Sequence, residues 1–168
     1  MINRQLIGAW RCYAAAVLIV VAGVAGSSAQ DQSVATAKDA IFARKTLMDA
    51  IGANMDELTT MTATEKIDLE KGKGFADTIS IMMMAFPHLF PPATNQWKQG
   101  ADRDPATDTF ASPDVWTKFA DFYAQASAAS KAAYNLSRAE NATAFKTDHA
   151  ALQKACDGCH SAYLKIDP

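Results

Sequence analysis

The chain has 168 residues, room for one domain and too few for two comfortable ones. Its formal charge is −2, from 16 basic and 18 acidic residues with no basic tract, which argues against a nucleic-acid partner. It is rich in alanine and methionine and poor in β-branched clusters, which favours helices over strands.

The opening segment "MINRQLIGAWRCY" carries Arg4 and Arg11 and no acid. An uncharged stretch, "AAAVLIVVAGVAG", follows from Ala14 to Gly26, and then "SSAQ". Ser27 and Ala29 stand at the −3 and −1 positions of a cut before Gln30, completing the three-part pattern of a secretory signal peptide. The apolar run, about thirteen residues, falls short of the ~20 that span a bilayer, which disfavours a retained anchor. Residues 1–29 are therefore expected to be removed, and residues 30–168 to fold as one unit with no stable membrane association. Removal of Arg4 and Arg11 takes the formal charge from −2 to −4, and Cys156 and Cys159 become the only cysteines.

Four helical stretches follow. The first is expected from about Val34 to Leu58, with Ser33 as its N-cap. Its apolar stripe is Val34, Ala37, Ile41, Arg44, Met48, Ile51, Met55 and Leu58, spaced three and four apart. Arg44 is the one charge on that line. The second helix is expected after a Thr62–Glu65 capping box, with Gly72, Phe75, Ile79, Met82 and Phe86 inward and Pro87 ending it. The third opens at Ser112-Pro113 and carries Trp116, Phe119, Tyr123, Ala126, Ser130 and Ala133. The fourth opens near Asn141 and carries Phe145, His149, Leu152, Cys156, Cys159 and Tyr163. Four amphipathic helices in so short a chain imply an all-α fold, an antiparallel four-helix bundle. Between the second and third lies a connection from Pro87 to Ser112, long enough to suggest a function and too rich in proline and glycine for a fifth helix.

The chemistry concentrates in "CDGCH", Cys156 to His160. A C-x-x-C pair alone suits a redox dithiol, half a zinc site or a disulfide. A thioredoxin-like dithiol wants a βαβ setting, and this chain shows no strand pattern. Structural zinc wants four ligands, and no second cysteine pair is present. A disulfide between helical positions i and i+3 is strained and closes almost no loop. A histidine directly after the second cysteine tips the balance to covalent haem: both thiols lie on one helical face and the adjacent imidazole reaches the iron. Export agrees, because bacteria attach such haem outside the cytoplasm, so the periplasm is the expected location.

On these residues the chain resembles the class II c-type cytochromes, the family that includes cytochrome c prime. The segments that carry the resemblance are "ARKTLMDAIGANM", "FPHLFP", "SPDVW" and "CDGCHSAY", in that order across nearly the whole mature chain. It implies a bundle with one haem c on the last helix, held by Cys156 and Cys159, with His160 as an axial iron ligand. It also places Met48 on the far side of the iron, where low-spin members have a coordinating methionine. Met55 and Met82–Met84 are rival sulfurs, and His88 and His149 weaker alternatives. Arg44 is expected to meet a haem propionate, with a snorkelling position at a helix edge as the alternative. The activity so implied is electron transfer with an unidentified redox partner protein, the alternative being a five-coordinate iron that binds nitric oxide or carbon monoxide. A homodimer through the first two helices is a further implication. One position departs from the pattern: relatives commonly carry a basic residue where this chain has Leu164.

Overall fold

The computed structural model describes residues 28–100 and 108–165. The expected signal peptide, all but its last two residues, lies outside them. Four long helices form the bundle: α1 (Ser28–Ala63), α2 (Leu69–Ala85), α4 (Phe119–Leu136) and α5 (Ala142–Tyr163). A single turn, α3 (Asp114–Thr117), precedes α4. The connection after α2 contains two short 3₁₀ turns, Phe86–Leu89 and Pro92–Thr94.

The α1 stripe is inward as expected. Ala37, Ile41, Arg44, Ile51 and Leu58 are buried, while Met48 and Met55 are half-buried. The helix is longer than its stripe suggests. Ser33 lies inside it rather than capping it, and Thr62 extends its last turn by donating to the carbonyls of Leu58 and Thr59. Thr62 and Glu65 therefore form no capping box. Asp68 caps α2 instead, its carboxylate accepting from the Lys71 N–H at 3.1 Å. Asp at the N-cap satisfies an orphan donor and faces the positive end of the helix dipole. Glu65, with φ 56°, makes the reversal between the two helices.

α2 meets α4 along small residues. Ala76 and Ser80 face Ala126, Ala129, Ser130 and Ala133, all buried. The Ser130 hydroxyl donates to the Ser80 carbonyl at 2.9 Å. Gly72 makes room for a ring from α5: a Cβ there would lie 2.6 Å from Cε2 of Phe145. Phe75 and Met82, expected at the centre of the α2 stripe, are only half-buried, and Ala76 and Met83 take their place.

α4 corrects the expected stripe at its start. Ser112 and Pro113 do open a helix, with the Ser112 hydroxyl accepting from the Asp114 N–H at 3.2 Å. That helix breaks at Lys118, whose φ is −123°. Past the break, Phe122 and Ala129 are buried, while Phe119 and Tyr123 stand outside at 40% and 42% exposure. Ala126, Ser130 and Ala133 are buried as expected; the stripe errs only in the first turns of α4, where Phe122 rather than Phe119 or Tyr123 turns inward. α5 follows expectation, with Asn141 as N-cap to the Ala144 N–H at 2.9 Å and Phe145, His149, Leu152, Cys159 and Tyr163 buried.

Candidate functional site

α1 packs on α2, α2 on α4, and α4 on α5, but α1 and α5 approach one another far less. Between them lies a cavity of about 460 Å³, inside the ~300–1,000 Å³ range of cofactor sites. Its base is apolar, from Ile51, Met83, Phe86, Phe90, Val115 and Phe122. One wall is the last two turns of α5, with Cys156, Cys159, His160 and Tyr163. Helical spacing of three and four places these residues along one side. The opposite wall is α1, which brings Arg44, Met48, Met55 and Thr59. The half-buried state of Met48 and Met55 now has a reason: they face this space. They are seven residues apart, about 10 Å along a helix, so one iron cannot take both.

A third wall comes from the connection, through Thr109, Phe110 and Ala111. It is joined to the end of α5 by an antiparallel bridge between Ala111 and Leu164. The Ser112 N–H donates to the Tyr163 carbonyl, and the Lys165 N–H to the Phe110 carbonyl, both at 2.8 Å. Leu164, the position where the resemblance leads one to expect a cation, lines the cavity and is 38% exposed. The Lys165 amine lies over the Trp97 ring at 5.1 Å.

Cys156 and Cys159 are free thiols. Burial pushes the Cys156 thiol above its ordinary value, and Asp157 adds to this. Burial, Cys156 and Asp121 together push Cys159 up to about 11. A redox dithiol is activated by the opposite environment, one that lowers the thiol pKa. Two protonated thiols a turn apart beside an imidazole, on the wall of an apolar cavity, fit covalent haem attachment well.

Arg44 is not at an edge. It is only 4% exposed, and its guanidinium donates to Thr94 Oγ1 at 2.8 Å, the Thr94 carbonyl at 3.2 Å and Thr109 Oγ1 at 2.6 Å. It lies over the rings of Phe90 and Trp116, at 4.7 and 5.6 Å. Burial lowers its pKa to about 10, so it stays charged at neutral pH. Snorkelling is therefore excluded. Nothing in the sequence singles out Thr94 or Thr109, since threonine in a long connection is ordinarily solvated.

The remaining candidates stand elsewhere. His88 is exposed and its ring meets Tyr123 at 5.9 Å. His149 is buried against Thr59 and Thr62, one ring nitrogen 3.4 Å from each hydroxyl. Met83 lines the cavity, Met82 is half-buried beside the core, and Met84 is 66% exposed.

Fold and site together define a c-type haem protein built on a four-helix bundle. A family model described as Cytochrome C' matches residues 39–164. Cytochrome c-556 of Agrobacterium tumefaciens (strain B2A) is 32% identical over 127 residues, covering 71% of this chain and 92% of that protein. Among solved structures, cytochrome c' from Thermochromatium tepidum superposes with a TM-score of 0.68 at 21% identity, over 77% of this chain and 97% of that one. Cytochrome c prime from Shewanella frigidimarina gives 0.64 at 25% identity over the same shares. The chain belongs to the cytochrome c' family. Its cofactor is covalently attached haem c, and its function lies within electron transfer or gas binding.

Proposed function

We propose that this chain is a periplasmic electron-transfer cytochrome whose iron is held between His160 and Met48. The observation that carries the reading is Met48 itself, a thioether on the α1 wall of the cavity that His160 lines from α5. Bound haem supplies a one-electron iron couple. The chain does the rest. Cys156 and Cys159 anchor the cofactor and His160 orients it. The apolar base excludes water, and a methionine sulfur raises the reduction potential relative to a second imidazole. Arg44 lines the same cavity and serves a haem propionate in this reading, since five N–H donors let one guanidinium reach both the connection and a carboxylate.

The signal peptide over residues 1–29 supports export, with residues 30–168 as the mature protein. Among the described residues no helix is long and apolar enough to cross a membrane. The electron partner is a protein met in a small, charge-steered encounter. A homodimer through α1 and α2 belongs to the same proposal, supported by the exposed apolar side chains Phe42 on α1 and Ile81 and Met84 on α2. One solved cytochrome c' is described as having a ligand-controlled dimer dissociation.

A second reading keeps Met48 as packing only and leaves the iron open to a gas. It draws on the nitric oxide complexes solved for cytochrome c prime variants of Alcaligenes xylosoxidans, 18% identical to this chain. Absorption spectra separate the two. The reduced wild type is expected to show the sharp α and β bands of low-spin iron, and Met48→Ala to turn high-spin and take up carbon monoxide rapidly. A wild type that is already high-spin, with a spectrum that Met48→Ala leaves unchanged, establishes the second reading instead.

A further inference from the structure

The helices that flank the cavity have little side-chain packing to hold them at a set separation, because the space between them belongs to the cofactor. Something else must set the gap. The only covalent route from α1 to α5 runs through the rest of the bundle. A shorter non-covalent route runs along the wall of the cavity. It begins at Arg44 on α1, whose guanidinium donates to Thr94 and to Thr109. Thr94 and Thr109 are 0% and 5% exposed. Thr109 Oγ1 also accepts from the Ala111 N–H at 3.1 Å. From there the Ala111–Leu164 bridge and the two flanking backbone hydrogen bonds reach the end of α5, four residues past His160.

We propose that Arg44 is a positioning residue: through Thr109 it ties α1 to the C-terminal end of α5 beside the haem cavity, with Thr94 holding the other arm of the fork, and sets the span between Met48 and His160. The chemistry of the side chain suits the task. A planar fork holds two separate oxygen acceptors in fixed directions, which an ammonium cannot do. Bonds from a charged donor are also stronger than neutral ones. The bonded groups are neutral hydroxyls and a carbonyl, so the tie needs no carboxylate to form. It also places the guanidinium one helical turn before Met48, so a displaced Arg44 moves that turn of α1. The choice of Met48 as the span's far end rests on the electron-transfer reading; the tie itself does not.

The test uses the full, haem-loaded protein and the variants Thr109→Val, Thr109→Ser and Arg44→Lys. Thr109→Val removes the acceptor and leaves the guanidinium in place, so it separates the tie from any contact between Arg44 and a haem carboxylate. The first readout is amide hydrogen exchange at Ser112 and Lys165, followed by the rate of carbon monoxide binding to the reduced protein. Thr109→Val and Arg44→Lys are expected to speed exchange at those amides by at least about tenfold, with exchange in α2 and α4 unchanged. Carbon monoxide should bind several-fold faster to both. Thr109→Ser, which keeps the hydroxyl, should restore wild-type values. If Thr109→Val exchanges and binds carbon monoxide like the wild type, the tie does not set the gap and the proposal is wrong. If Thr109→Val does not fold, Thr109→Ala makes the same test with less demand on packing. A high-spin wild type with faster exchange in Thr109→Val would overturn the Met48 ligation alone and leave the tie standing.

Discussion

Gly72 shows how much a single hydrogen atom can decide here. The Phe145 ring fills the place where a Cβ would stand, and Phe145 is fully buried. Gly72→Ala is therefore expected to destabilise the protein. Overpacking costs roughly 1–3 kcal/mol, more than the at most ~1 kcal/mol that alanine gains in helix propensity. A fall in the urea midpoint without a change in slope is the expected result. His149 makes a second residue-scale case. Burial lowers its pKa from the ordinary 6.5. Above pH 6.5 the imidazole is neutral in both folded and unfolded chains, and its contribution is complete. As the pH falls below 6.5 the unfolded chain takes up the proton first, so stability is lost toward acid. Unfolding curves between pH 7.5 and 4.5 should show that loss in the wild type and a smaller one in His149→Gln.

Single elements owe their ends to a few side chains. Asn141 satisfies the Ala144 N–H and starts α5, the helix that carries the haem motif. Its replacement by alanine is expected to cost about 1 kcal/mol, as for other N-caps. Thermal unfolding of Asn141→Ala against the wild type measures this. An unshifted melting temperature would show that α5 is held by its packing alone. Asp68 does the same for α2. α4 has no side-chain cap, and its start at Lys118 is a break rather than a boundary. The turn before the break serves the core through Val115, and the first turn after it through Phe122. Each side therefore packs well while the helix as a whole is discontinuous.

At the scale of the molecule, three helix pairs are closed by side chains and the fourth, α1 with α5, frames a cavity. That asymmetry makes room for the cofactor. It also leaves the outer faces of α1 and α2 free of any role in the site. Phe42 is 66% exposed on one of those faces, and a charge there should oppose self-association. Sedimentation velocity is expected to show a dimer for the wild type and a monomer for Phe42→Lys. A wild type that sediments as a monomer at all accessible concentrations would remove the dimer from the proposal. Exposed ion pairs such as Lys146 with Glu65 contribute little to either equilibrium.

The sequence by itself determined the helical class, the bundle and the haem attachment. Each is written locally: helical spacing along α1 and α5, proline after α2, and "CDGCH" within two turns. It also brought out Arg44, because a charge on a core stripe contradicts its neighbours. What it did not contain is distance between segments. No single residue announces the break at Lys118, nor that Phe122 rather than Phe119 or Tyr123 enters the core. The capping of α2 by Asp68 depended on where α1 stopped. The partners of Arg44 lie 50 and 65 residues downstream, in a stretch with no periodicity to phase it. Only tertiary packing could turn Thr94 and Thr109 from loop residues into buried acceptors. The same packing set α1 and α5 apart and put Met48 on the wall of the space His160 lines.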